Sequence, residues 1–363
     1  MTGASERDRR QLVRDAEGWN FGPPPALLAE NFITPASLFF TRSHAPVPAG
    51  DASSWRLQVG GLVRRPLDLD LDRLRHDFPR TEVTATLACA GLRRTELLAV
   101  RPIPGELPWG PEAMGTGRWS GVSLADVLAA AEPEPAAAHV EFVGRDDVAR
   151  ADRRFGFGGS VPLSKAMSRE VLLAWELNGA PLPPQHGFPL RAVVPGHYGA
   201  RSVKWLGQVV LRPDPSSNYF QTRAYRVLST PDPADPRDVS NGLPLGELVL
   251  NAAIVSPADG ARIHAGQVEV NGWAIGRGGD AVGRVEVSPD GGVTWVNAEL
   301  LGAPLAWCWR LWRARVRLRL GEQTLVARAF GLDGAGQPER LEQVWNVKGY
   351  ANNAWHRVTV DAE

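Results

Sequence analysis

Only two cysteines, Cys89 and Cys308, occur in the 363 residues. Two thiols cannot build a disulfide framework for a chain of this size, so nothing here requires an oxidising compartment. Charge of one sign is missing too: Lys plus Arg and Asp plus Glu both number 40. That balance excludes nucleic acid or an anionic membrane as the main partner. No apolar run approaches the ~18 residues that would cross a bilayer. The polar start, MTGASERDRRQLVRDAEGWN, has no apolar core of signal-peptide type. As given, the chain reads as cytoplasmic, or as periplasmic if an export signal has been removed. G-x-G-x-x-G and P-loop patterns are absent, so neither a nicotinamide nor a nucleotide triphosphate site has support. Internal repeats and low-complexity tracts are absent as well.

What is present is enough apolar residue, 44%, for two cores rather than one. STPDPADPRDVSNGLPLG, Ser229 to Gly246, carries four prolines among Asp, Ser and Gly and predicts an extended, solvated connector. Beyond it, short alternating runs such as QVEVNGWAIG and RARVRLRLGEQTLVARAFG, parted by turns such as SPDGG, predict an antiparallel sandwich of immunoglobulin type. Seven tryptophans between Trp273 and Trp355 exceed what one small sandwich core needs, and the surplus predicts an interface between copies. Upstream, strand-like runs dominate without regular alternation with helices. SLADVLAAA, with Ser123 as N-cap, is the clearest helix. An irregular α+β domain is therefore expected before the connector.

Cys89 lies in TATLACAGLRRTEL, with Arg93 and Arg94 close behind it. Guanidinium groups favour thiolate over thiol, which makes Cys89 a candidate reactive or metal-bound sulfur; a buried, inert cysteine is the other reading of the same residues. Further polar clusters sit beside Gly or Pro: Arg42 and His44; Asp146 and Asp147; His186 and Arg191; Arg201, Ser202 and Lys204. Loop residues of these types would suit a polyanionic ligand if they converge, and would be solvated surface if they do not.

FFTRSHAPVP, TLACAGLRR, ELNGAPLPPQHGFPLRAVVPGHYGARSVKWL and NAWHRV, in this order, closely resemble the sulfite oxidase family of molybdenum enzymes. The likeness covers nearly the whole chain after about Leu38. It implies an N-terminal extension (1–30), an irregular mixed α+β molybdopterin-binding domain (31–240), and an immunoglobulin-like dimerisation domain (245–363) that makes a homodimer. The implied cofactor is molybdenum on molybdopterin, a pyranopterin, with Cys89 as the metal's thiolate ligand. The resemblance gives pterin and phosphate contacts to Phe40, Thr41, Arg42, Ser43, His44, Asp146, His186, Arg191, Ser202, Val203 and Lys204. Arg42 and Arg94 would bind a small oxyanion, Trp109 would line the wall, Tyr225 would hydrogen-bond at the reacting centre, and Lys348 would reach in from the second domain.

The activity implied is oxidation of sulfite to sulfate by oxygen-atom transfer. With no stretch resembling a haem domain, electrons would leave to an external acceptor, a c-type cytochrome or oxygen. Three positions depart from the family pattern: Leu92 replaces an asparagine in CAGLRR, Ser43 replaces the asparagine of R-N-H, and Lys348 stands where sulfite-oxidising members carry arginine. Lysine keeps the charge but loses the planar fork. A nitrate-reductase-like activity is the nearest alternative, and a cofactor-free binding protein on the same scaffold is the alternative from another class.

Overall fold

The computed structural model describes residues 8–49, 51–150, 153–230, 235 and 238–363. Alternation sets the first sheet. In Leu57–Gly61, Leu57 and Val59 are buried while Gln58 is exposed. Parallel pairing with Leu206–Arg212 joins that strand to His139–Gly144 and Gly158–Pro162 on one side, and Leu67–Leu69 closes the other. A second sheet runs Ala180–Pro181, Leu172–Leu177, Met114–Ser123, Arg80–Ala88, with Arg191–Val193 also on Leu172–Leu177. Among the described residues there are five α-helices, all short. This is the irregular α+β body expected. In the helix Leu124–Ala131, Leu124, Val127, Leu128 and Ala131 point into the core at helical spacing. Ser123 does stand at its N-cap position, yet its buried hydroxyl bonds nothing, so the cap is one of place only.

One connection in this body matters most for chemistry. Arg80–Ala88 and Met114–Ser123 pair antiparallel with Ala88 opposite Met114. Residues 89–113 therefore leave and re-enter the sheet at the same end. They carry Cys89, Arg93, Arg94 and Trp109.

The C-terminal body is a sandwich. Asn251–Ser256, Gly266–Ile275, Arg310–Leu318 and Glu299–Leu300 form one sheet; Ala261–Ile263, His356–Ala362, Gly321–Gly331, Val282–Ser288 and Val296–Asn297 form the other. Inward residues such as Val270, Val285, Val316, Leu325 and Val358 fill the space between them. The SPDGG turn follows Val282–Ser288 as expected. Asp290 accepts backbone N–H groups from Val293 and Thr294, and Gly291 and Gly292 supply left-handed backbone at φ 74° and 106°.

Two expectations change. Residues 231–234, 236 and 237 of the proline-rich stretch, like residues 1–7, lie outside the described residues. The far end of that stretch is not simply solvated: Leu243–Pro244 pairs with Arg226–Val227, and Val239 is fully buried beside Leu97 and Trp345. The tryptophan expectation narrows, since three of the seven are fully buried within this chain. Trp273 Nε1 donates to Pro111 O (3.2 Å) and Trp309 Nε1 to Phe32 O (3.0 Å), both rings fully buried where the sandwich meets the first body. Trp312 fills the sandwich core. One apolar cluster runs from Leu28 and Met114 through Trp273 and Trp309 without a break. Among the described residues no helix is long and apolar enough to cross a membrane.

Candidate active site

A cavity of about 710 Å³, part of it open to solvent, lies against the sheet end where residue 89 emerges. Its lining brings together Phe40, Thr41, Arg42, Ser43, His44, Cys89, Asp146, His186, Arg191, Ser202, Val203, Lys204 and Tyr225. These residues come from loops spread over nearly two hundred positions, and the topology converges them on one space. Asp147 does not join them; it is exposed and paired with Arg154. Arg201 also turns away, donating from Nη2 to Leu245 O at 2.9 Å.

Cys89 opens a tight turn: its carbonyl accepts from Leu92 N and its sulfur from Gly91 N (3.4 Å). Gly91 lets the Arg94 guanidinium pass close by, since a Cβ there would stand 2.5 Å from it and the arginine would have to shift. Burial pushes the Cys89 thiol up, against the opposing charges of Arg42 and Arg94. The arginines do favour the thiolate, but desolvation outweighs them. Without an electrophilic partner Cys89 stays a thiol. Arg93, the nearer arginine in sequence, plays no part there.

The rest of the cavity is rich in donors and poor in anions. Arg191 spends three donors on backbone carbonyls of His186, Ala192 and Ser202, has no carboxylate partner, and is drawn down to about 9 by burial. Lys204 Nζ rests on Ser43 Oγ and Gln185 O, each at 2.8 Å; burial and the charge of Arg191 hold it well below the usual lysine range despite Asp146 nearby. Ser43 thus serves as the lysine's acceptor. Asp146 is buried, accepts from Phe157 N at 2.8 Å, and is raised by desolvation. Thr41 Oγ1 and His186 Nε2 are buried without partners. Burial holds His186 down to about 3, so its ring is neutral. Unpaired cations and orphaned polar atoms around one cavity are what a bound polyanion would satisfy.

Tyr225 has a defined role in this network. Arg42 Nη2 and Arg150 Nη2 both point at His44 Nδ1, at 3.2 and 3.3 Å. Guanidinium can only donate, so Nδ1 accepts and the ring proton lies on Nε2. Burial, then the charges of Arg42, Arg150 and Lys204, keep His44 neutral. Nε2–H therefore donates to Tyr225 Oη at 2.8 Å. The Tyr225 hydroxyl, pushed up to about 12 mainly by burial, keeps its own proton and is free to donate into the cavity.

Residues 44–220 match the family model described as oxidoreductase molybdopterin binding domain, and 244–363 match the Mo-co oxidoreductase dimerisation domain. Human mitochondrial sulfite oxidase is 44% identical over 359 residues, covering 96% of this chain and 65% of the relative. Arabidopsis thaliana sulfite oxidase is 36% identical, covering 95% of this chain and 92% of the relative. Among solved structures, the sulfane dehydrogenase SoxCD of Paracoccus pantotrophus superposes with TM-score 0.79 at 27% identity, over 95% of this chain and 86% of that one. This chain belongs to the sulfite oxidase family of molybdopterin oxidoreductases. It spans about two thirds of the length of the human relative.

The cavity fits the family's molybdenum cofactor on its own terms. Among the described residues no group of three or more His, Cys, Asp or Glu could hold a metal ion. One soft thiol, Cys89, stands beside a pocket lined by Arg42, Arg191 and Lys204, a donor set that suits a metal carried on an anionic organic cofactor.

The family's expected anion donors are only partly in this lining. Arg94, Trp109 and Lys348 stand outside it. Trp109 is fully buried behind Phe40, edge to face at 6.4 Å, with its indole N–H unpartnered. Arg94 is threaded past Gly91 and Gly349, donates from Nε to Lys348 O (2.9 Å) and from Nη1 to Leu107 O (2.8 Å), and lies 5.2 Å from the Tyr350 ring. Its neighbour Lys348 does come from the second body, as expected. Both cations instead approach Glu106, which lies 3.4 Å from Arg94 Nη2 and 3.3 Å from Lys348 Nζ.

Sequence reasoning missed Glu106, Arg150, and Tyr350, whose ring stacks on Tyr225 at 5.4 Å. It missed Asn20 too, whose Oδ1 anchors both Arg42 and Ser43 N. None of these carries a local signal; each is defined by a partner far away in the chain.

Proposed function

We propose that this protein oxidises sulfite to sulfate at a molybdopterin held within 31–240, with 245–363 joining two copies as a homodimer. The observation that carries the reading is that Cys89, Arg42 and a protonated Tyr225 face the same cavity as Arg191 and Lys204. A phosphate and pterin would satisfy Arg191, Lys204, Thr41 Oγ1 and His186 Nε2, while Cys89 would bind the metal as thiolate.

The chemistry that the cofactor supplies is two-electron redox with oxygen-atom transfer: sulfite and water give sulfate, two protons and two electrons. The chain's own groups bind and orient. Arg42 holds a sulfite oxygen by charge-assisted hydrogen bonds. Tyr225 donates its hydroxyl to a second oxygen, its own oxygen steadied by His44. Phe40 and Phe157 in the cavity wall limit water. The two electrons pass singly to an external acceptor, a c-type cytochrome or oxygen.

The test combines composition with turnover. Purified protein is assayed for molybdenum and pterin per chain, and for sulfite-dependent reduction of an artificial one-electron acceptor. Cys89→Ser keeps the pterin, which rests on contacts elsewhere, and loses turnover. Parent-level turnover in Cys89→Ser would remove Cys89 from the metal. Nitrate reduction without sulfite oxidation would move the function to the nitrate-reductase-like alternative.

A further inference from the structure

Arg94 and Lys348 are an unlike pair brought together by the fold. One follows Cys89 by five residues, the other arrives from the C-terminal body, and the Arg94 Nε to Lys348 O hydrogen bond holds the two strands of chain side by side. Their cationic ends converge on a single carboxylate. Glu106 Oε2 is 3.4 Å from Arg94 Nη2 and Glu106 Oε1 is 3.3 Å from Lys348 Nζ, so the carboxylate bridges the two bodies.

Three features set Glu106 apart from an ordinary structural ion pair. Both contacts are longer than the ~2.7–2.9 Å of a well-formed charge-assisted hydrogen bond, so it is held by charge without being locked by geometry. It sits on the turn Pro104–Gly105–Glu106, where Gly105 at φ 78° has nothing within 4 Å of a would-be Cβ, and no regular element spans from Leu98 to Met114. Gly105 faces open space on that side of the turn. Finally, its charge is felt at Cys89, Tyr225 and Tyr350, the same groups that feel Arg42 and Arg94. Glu106 is thus inside the electrostatic neighbourhood of the proposed reacting centre rather than on a remote surface.

The geometry points to Glu106 as a built-in competitor for the anion: its carboxylate occupies Arg94 Nη2 and Lys348 Nζ, which stand outside the cavity lining, and an oxyanion held by Arg42 and Tyr225 gains these two further donors only by displacing it. The inference rests on the sulfite reading only for the identity of the anion. A carboxylate and a sulfite or sulfate oxygen pair ask for the same two donors, and both cannot hold them together without like-charge contact. Glu106 then sets the threshold affinity for the anion. It also keeps two cations paired when no anion is bound, which limits the cost of leaving them unpaired in a partly buried place.

The test is the affinity of the cofactor-loaded protein for sulfate, by titration calorimetry at fixed ionic strength, alongside KM for sulfite. Glu106→Gln removes the competing charge and keeps the shape. About tenfold tighter sulfate binding and a comparable fall in KM are expected, the size of one weak charge-assisted contact at a partly solvated site. Glu106→Ala must show the same gain, and Glu106→Asp must return affinity toward the parent. Lys348→Met in the Glu106→Gln background must cancel most of the gain, because the freed lysine is where the anion gains its contact.

Unchanged or weaker sulfate binding in both Glu106→Gln and Glu106→Ala would overturn the inference and leave Glu106 as a strut that merely positions Lys348. The two readings separate cleanly. Tighter sulfate binding in a protein that never oxidises sulfite keeps the competitor and removes the sulfite assignment. Sulfite turnover with sulfate affinity and KM indifferent to Glu106 does the reverse.

Discussion

Replacing Arg93 should do more damage to the fold than replacing any residue of the cavity. Its guanidinium is fully buried and uses all five of its N–H donors: Nε and Nη2 on the Glu96 carboxylate (2.7 and 2.6 Å), Nη1 on Asn251 Oδ1 (2.6 Å) and Ala252 O (3.1 Å), and Nη2 again on Ala354 O (2.8 Å). Three of those acceptors belong to the C-terminal body. Burial works against the Glu96 carboxylate, but Arg93 first and His356 next hold it below the usual range, so it is ionised in the fold. Arg93→Met leaves that carboxylate without its strongest partner, a loss of about 3–5 kcal/mol for a buried pair. It also leaves three acceptors bare at about 1–3 kcal/mol each before relaxation. The terms are not additive, and a total near 5 kcal/mol is the working figure, comparable with the whole stability of many domains at about 5–15 kcal/mol. Arg93→Lys should recover little, because one ammonium cannot reach acceptors on opposite sides of the fork. Urea unfolding followed by tryptophan fluorescence reads the effect directly, since Trp273 and Trp309 sit at the same junction. A loss under about 1 kcal/mol in Arg93→Met would refute the reasoning, and a single unshifted transition would show that the two bodies are welded by the apolar cluster alone.

His356 gives a pH prediction. Its Nδ1 accepts from Ile254 N at 3.1 Å, and burial holds it down to about 4 despite the opposing charge of Glu96, against an ordinary value of 6.5. The unfolded chain takes up the proton first, so stability present above pH 6.5 is lost as pH falls towards 4, by about 3 kcal/mol from this residue. His356→Gln, whose carbonyl can still accept from Ile254 N, should flatten that acid arm by the same amount; thermal melts from pH 7 to 4 with an identical slope in both proteins would count against it. Assembly is checked by light scattering at micromolar concentration: the homodimer proposal expects twice the 39.3 kDa of one chain, and a mass near 39.3 kDa would contradict it.

The sequence by itself singled out Cys89, Arg42, His186, Arg191 and Lys204, which the fold brings to one cavity, because each stands in a short run near Gly or Pro that keeps its identity without reference to the rest of the chain. It also predicted the sandwich, since two-residue alternation in Gly266–Ile275 and Arg310–Leu318 is a local property that tertiary packing only has to respect. What it could not tell was which neighbour on a turn faces which way. Arg93 and Arg94 are adjacent, yet Arg93 adopts left-handed backbone at φ 62° and enters the junction between the bodies, while Arg94 turns to Glu106 and Lys348. Tyr350 and Lys348 meet residues some 250 positions earlier, and Trp273 and Trp309 are buried where the two bodies of one chain meet. Such contacts follow from how two independently patterned bodies dock. No local period encodes docking, so only the tertiary structure decided that a carboxylate would stand between the arginine and the lysine.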